Sequence, residues 1–242
     1  MKKLLILPLL FFFGMLSAQD LQGSWEMIEK NGEPVTDQET VKIYQDGYFA
    51  FGTKETGTNK FLSAGGGEYS AEGLNYIEAF DFYTADPEMV GRKKTYVLEL
   101  EDDLLTLKKE DETEVWQKIS DSRNSLSGNW VITGRKRDGE MKRSTPGARR
   151  TIKILGGDRF QWVAFNSDTR EFSGTGGGTY TATDGVYTEN IEFFSRDDSR
   201  VGAELSFDFE VVDDEWHHTG SSSKGDPIYE IWSPYNKAYT KK

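Results

Sequence analysis

An all-β fold of two tandem eight-stranded antiparallel up-and-down barrels is predicted by three observations. First, residues 41–91 align without a gap onto 152–202 at an offset of 111, and 16 of the 51 pairs are identical. Chance at ordinary composition gives about three, at roughly 6% identity per position, so the chain contains a duplicated unit. Second, each copy is a series of short runs in which apolar and polar residues alternate, separated by Gly, Asp and Asn, and period two is the signature of a strand with one buried face. Third, no ten-residue segment has convincing helical periodicity.

The elements follow in order. Lys2 and Lys3, the apolar stretch Leu4 to Leu16 and the small residues Ser17 and Ala18 read as a secretory leader over residues 1–18, with Gln19 first after cleavage. The leader predicts an exported protein, periplasmic or secreted. No later stretch approaches the length of a membrane-spanning helix, so no membrane span is expected. Residues 19–119 are assigned to barrel one. Its strands are expected near 25–29, 41–45, 48–53, 61–71, 74–82, 93–100, 104–108 and 114–119, with a tight Asp46-Gly47 turn joining the second to the third. The polar stretch 120–125, lacking large apolar residues, is the linker, and residues 126–242 form barrel two. There Gly156-Gly157-Asp158 is the counterpart of the first hairpin turn. Eight short sequential strands must close into a barrel or split into a sandwich to hide their edges, and hairpin-like spacing favours the barrel.

The offset between the copies is 105 at the first tryptophan pair (Trp25, Trp130), 111 through the middle and 116 at the last pair (Trp116, Trp232). Copy two therefore carries about six extra residues before its second strand and five before its last, which belong in loops. The chain has no cysteine, which removes disulfides, cysteine-ligated metals and lipid anchoring through a cysteine. Its net charge of −12, or −14 without Lys2 and Lys3, disfavours nucleic acid as a partner.

A Leu-x-Gly-x-Trp opening stands at Leu21/Gly23/Trp25 and, in the second copy, at Leu126/Gly128/Trp130. Gly-Gly-x-Tyr follows at 66–69 and 177–180, Tyr-x-Glu at 76–78 and 187–189, and Glu-x-Trp at 114–116 and 230–232. Their order and repetition resemble the lipocalin pattern, and more closely the exported lipocalin-like domains of unknown function common in bacteroidete bacteria. The resemblance implies the barrel fold more than a function. It also implies a basic residue on the last strand over the first-strand tryptophan. Lys118 fits that role in copy one, whereas Pro234 stands at the equivalent place in copy two, so closure of the second barrel is where the copies are expected to differ.

The chemically most informative run is Tyr76-x-Glu78-x-Phe80-x-Phe82, echoed by Tyr187-x-Glu189-x-Ile191-x-Phe193. Alternation puts all four side chains of each run on one apolar face. A carboxylate there must be paired, hydrogen-bonded or neutral, because burying a bare charge costs several kcal/mol. Two readings stand: Glu78 and Glu189 orient a ligand between aromatic walls, or each is tied to a tyrosine hydroxyl or backbone N–H of its own barrel. The candidate ligand-binding residues are Tyr69, Tyr76, Glu78 and Phe80 in copy one and Tyr180, Tyr187, Glu189 and Ile191 in copy two. The longer first loop of copy two forms a candidate anion-binding loop through Arg135, Arg137, Arg143, Arg149 and Arg150, and the resemblance implies a place for it near the open mouth.

The triple glycines 65–67 and 176–178 lack the Lys-Ser/Thr that a P-loop requires and read as a bend or bulge. His217 and His218, adjacent on a strand, point to opposite faces and cannot serve one metal. Glu68 and Glu78 face the same side on strand alternation and form the one paired-carboxylate candidate for carbohydrate chemistry; Thr179 replaces Glu68 in copy two, so the pair is not shared. No catalytic residue, metal or cofactor is assigned. The expectation is a non-catalytic binding protein for a small hydrophobic or amphipathic ligand, with a filled-barrel interaction module that binds a cell-envelope or glycan partner as the alternative. Cavity volume discriminates the two.

Overall fold

The computed structural model describes residues 21–221 and 225–240; the leader assigned to 1–18 lies outside the described residues. Copy one folds as β1 (Gly23–Lys30), β2 (Glu33–Pro34), β3 (Gln38–Gln45), β4 (Tyr48–Glu55), β5 (Phe61–Glu72), β6 (Asn75–Tyr83), β7 (Lys93–Glu101), β8 (Leu104–Lys109) and β9 (Glu112–Ser120). Copy two repeats this as β10 (Gly128–Arg137), β11 (Glu140–Arg143), β12 (Arg149–Gly156), β13 (Arg159–Asn166), β14 (Glu171–Thr183), β15 (Val186–Phe194), β16 (Glu204–Val212), β17 (Glu215–Ser221) and β18 (Pro227–Pro234), followed by the single turn α1 (Tyr235–Ala238).

Every pairing is antiparallel and, apart from β1–β3, β10–β12 and the closing pairs, joins strands consecutive in the chain; β1 pairs with β9 as β10 does with β18, so each sheet closes on itself. Two-residue β2 pairs with Glu29 and Lys30, whereas β3 pairs with residues 23–26 of the same strand. Since β9 occupies the other edge of β1, β2 and β3 lie end to end on one edge and the barrel has eight staves. The same holds for β11 and β12 on β10. Alternation sets which face is buried: in β7 Tyr96 and Leu98 are buried between exposed neighbours. Among the described residues no helix is long and apolar enough to cross a membrane.

The Asp46-Gly47 turn has φ of 53° and 75° at its two central residues, the geometry of a two-residue hairpin loop that matches strand twist. Pro234 raises the expectation that the second barrel fails to close, and the structure corrects it: both barrels close. Lys118 lies across from Trp25 with its ammonium 5.1 Å from the indole ring. Pro234 lies across from Trp130 at the end of its strand, where its missing N–H interrupts little of the ladder, and the chain then turns into α1. Each opening tryptophan is fixed by its own segment, Trp25 Nε1 donating to Leu21 O at 2.8 Å and Trp130 Nε1 to Leu126 O at 2.9 Å.

Among the bulges of each copy, the one between β5 and β6 and its counterpart between β14 and β15 correct the expectation that Phe82 and Phe193 line the same face as Glu78 and Glu189. Gly66 lies across from Phe82 and Gly67 from Phe80, so Asp81 is an extra residue on β6; Glu192 is its counterpart on β15. Beyond this bulge the inward positions pass to Tyr83 and Phe194, and Phe82 and Phe193 face out. Glycine is required at the bulge, because a Cβ on Gly67 would sit 1.9 Å from Ala79 O and one on Gly178 2.0 Å from Asn190 O.

The outward residues build a third core between the barrels, with Ile43, Tyr48, Ala50 and Phe82 of barrel one buried against Val131, Ile152, Ile154, Val163 and Phe165 of barrel two. Some of its contacts are reciprocal between the copies. Phe61 stacks on Phe172, its own repeat equivalent, with ring centroids 6.5 Å apart. Asn129 N donates to Asp46 Oδ2 at 3.1 Å, and the equivalent Ser24 Oγ reaches Asp158 Oδ1 at 3.5 Å. Other contacts break the symmetry, and the most deeply buried is ionic: Arg150 donates to Asp81 Oδ2 at 2.7 Å, both side chains fully buried, and Tyr48 and Tyr235 donate to the same oxygen at 3.2 and 3.3 Å.

Candidate functional site

Inside each barrel a charged layer lies above an aromatic floor. In barrel one β3 presents Lys42 and β6 presents Glu78, and Lys42 Nζ donates to Glu78 Oε1 at 2.8 Å, both buried. Tyr76 OH lies 2.9 Å from Glu78 Oε1 and also 2.9 Å from Tyr44 OH. Trp116 Nε1 donates to Glu114 at 3.1 Å, and burial holds the Glu114 carboxyl above the usual carboxylate range. Barrel two repeats the layer with Lys153 Nζ 2.6 Å from Glu189 Oε1 and Trp232 Nε1 3.2 Å from Glu230. The buried glutamates are therefore held mainly by lysines rather than by a hydroxyl or backbone N–H alone. The signal was present in the sequence, since Lys42 and Lys153 coincide at the 111-residue offset and stand on the inward side of β3 and β12.

Around this shared layer the copies diverge. His218 stands in barrel two across from Glu230, where barrel one has Leu107 across from Glu114. Burial lowers the His218 pKa below the ordinary imidazole value, and the ring lies 3.5 Å from Glu230. Burial alone would raise Glu230, but the adjacent His218 ring and the charges of Arg135 and Lys153 outweigh it and hold the carboxyl down at about 2. His217 faces outward and meets Tyr229 OH at 2.9 Å, so the two histidines are on opposite faces. Among the described residues no group of three His, Asp or Glu side chains is placed to hold a metal ion.

Above the layer, barrel two opens into a cavity of about 390 Å³, whereas the corresponding space in barrel one is about 110 Å³. The difference follows from pairs of equivalent residues: Thr53, Lys94 and Glu112 around the smaller space become Ala164, Leu205 and Ile228 around the larger. Trp162, Ile191, Phe194 and Trp232 supply apolar walls, Lys153, Glu189 and Glu230 the charged floor, and Arg135, Arg196 and Arg200 the rim.

Glu189 and Ile191 thus line the larger cavity and Glu78 and Phe80 the smaller. Tyr69, Tyr76, Tyr180 and Tyr187 are buried in the aromatic cores, with Tyr180 OH accepting from Asn124 Nδ2 of the linker at 3.0 Å. Burial pushes all four phenols up.

The basic insertion is largely a hairpin, β10–β11, and it divides. Arg135, Arg137 and Arg143 line an outer groove of about 270 Å³ with Lys142. Arg135 bonds Glu230 and Arg143 bonds Glu215, each at 2.5 Å. Arg149 is exposed at the start of β12 and lines neither space, and Arg150 is committed to the core between the barrels, so those two do not join the anion-binding set. The carboxylate pair is also corrected: Glu68 lies across from Ala79 and Tyr69 across from Glu78, which puts Glu68 on the opposite face from Glu78.

Sequence reasoning missed Trp162, Phe194, Arg196, Arg200 and Glu230 as cavity residues. Arg196 and Arg200 follow the bulge in a loop where periodicity carries no information, whereas Glu230-x-Trp232, present in both copies, was a usable signal. Residues 125–239 match the family model described as a domain of unknown function (DUF4488). No curated protein matches the chain.

Proposed function

We propose that this chain is an exported, non-catalytic binding protein of the bacteroidete lipocalin-like type that carries a small, partly apolar ligand in barrel two. The supporting observation is the cavity of about 390 Å³, within the range of small-molecule sites and walled by aromatic and aliphatic side chains with a few polar groups. A non-catalytic role is supported by the pairing of the two repeated interior acids: Glu78 and Glu189 are each bound to a buried lysine, so neither stands as a free carboxylate for acid-base work. The filled interior of barrel one favours the second reading, a structural or interaction role, for that copy alone.

Native mass spectrometry of the full exported chain tests the proposal. The expected spectrum contains a bound small molecule that is absent from an Ala164→Phe variant, whose ring fills the cavity. A chain that flies at its bare mass and takes up nothing from a total lipid extract overturns the reading.

A further inference from the structure

Resting on the carrier reading, we infer that the ligand is an amphiphile with one anionic head, held at the rim of barrel two by Arg135, Arg196 and Arg200 while its apolar part lies on Trp162 and Trp232. The argument begins with charge. Four basic side chains (those three arginines and Lys153) against two acidic ones, Glu189 and Glu230, line this cavity. The smaller space of barrel one has three of each. A basic cavity in a chain of net charge −12 is a local reversal of the protein's field, and such a focus raises the concentration of an oppositely charged ligand at the mouth.

The reversal is specific to copy two and coincides with the gain in volume. At the 111-residue offset Arg196 stands where copy one has Ala85, and Arg200 where it has Met89. In the same barrel Leu205 stands where copy one has Lys94 in the lining of its smaller space, so a positive charge is withdrawn from the wall while others are placed on the rim. An apolar wall under a guanidinium rim matches a molecule with an apolar body and a terminal anion. Arginine suits that end because its planar fork of N–H donors meets carboxylate or phosphate oxygens two at a time. Arg196 spends donors on Ser173 O, Arg200 is braced by Asp197 at 3.4 Å and Arg135 by Glu230, contacts that hold the guanidinium groups in place. The outer groove shares Arg135 and Thr151 with the cavity, so a head larger than a carboxylate has a basic path outward.

The test uses the full exported chain and four ten-carbon probes: decanoate, decyl phosphate, decanol and decyltrimethylammonium. Fluorescence of the two cavity tryptophans and calorimetry both read binding. The expected result is that decanoate or decyl phosphate binds at least about tenfold more tightly than decanol, a difference of about 1.4 kcal/mol, with the ammonium weakest. The tighter of the two anions identifies carboxylate or phosphate as the head. In the double variant Arg196→Gln/Arg200→Gln, whose sites are at the surface, the anion preference is expected to collapse while decanol affinity is kept. Decanol binding as tightly as both anions overturns the anionic head and leaves the carrier reading intact. No binding by any of the four overturns both.

Discussion

Lys42 and Glu78 show what a buried charge does in a barrel too small to hold much else. The Lys42 ammonium lies 4.3 Å from the Trp116 ring and 2.8 Å from Glu78, and the pair raises the lysine pKa despite its burial. Removing one partner strands the other without water. Glu78→Gln is therefore expected to destabilise the protein by about 3 kcal/mol, whereas Lys42→Met/Glu78→Leu recovers most of that loss, because a well-packed apolar pair replaces an ion pair at little net cost. Urea unfolding of both variants measures it. The binding proposed for barrel two is expected to stay unchanged in each, since neither residue lines that cavity.

At the scale of the element, the bulge on β6 decides where three consecutive side chains go. Phe80 points into the barrel, and Asp81 and Phe82 both point to its partner, an arrangement a regular strand forbids. Gly67→Ala would drive a methyl into Ala79 O, so it is expected to cost about 3 kcal/mol or to straighten the strand and withdraw Phe82 from the core between the barrels. The urea midpoint and the exposure of Phe82 to hydroxyl-radical labelling report it. This element also marks the limit of what the sequence discloses. Strand positions in copy one follow from period two, and the observed β3 to β9 overlap the expected runs closely. Period two is a local rule, however, and an inserted residue such as Asp81 leaves the pattern of residue types unchanged while reversing every face beyond it. Glu78 was legible because a carboxylate among aromatics is conspicuous. Lys42 was legible too, through its match to Lys153, whereas Arg196 and the Arg150–Asp81 pair become meaningful only once the loop after β15 and the facing barrel are brought together.

For the whole molecule, the core shared by the barrels makes the linker a weaker constraint than the face itself. Phe82 and Phe165 rings lie 5.1 Å apart, Gln161 Nε2 donates to Phe51 O at 3.2 Å, and Gly52 leaves room for the Phe193 ring. Cutting the chain at a protease site engineered among residues 121–125 is expected to leave the two barrels associated, eluting together in size-exclusion chromatography. Adding Arg150→Met, which leaves Asp81 without its buried guanidinium, is expected to separate them. Co-elution of the cut Arg150→Met protein would show that the apolar face alone suffices.

In a true dimer of identical subunits every substitution on the shared face occurs twice, so an acid placed to meet a base must find its own copy's base at the related position. The Arg150–Asp81 contact has no such twin: the equivalent positions carry Glu39 and Glu192, which pair with Lys54 and Arg159 instead. Joining the copies in one chain lets a mutation act once. The same freedom lets one interior stay packed, as the scaffold, while its sibling is hollowed out and recharged, with the packed copy supplying stability that the hollow one gives up.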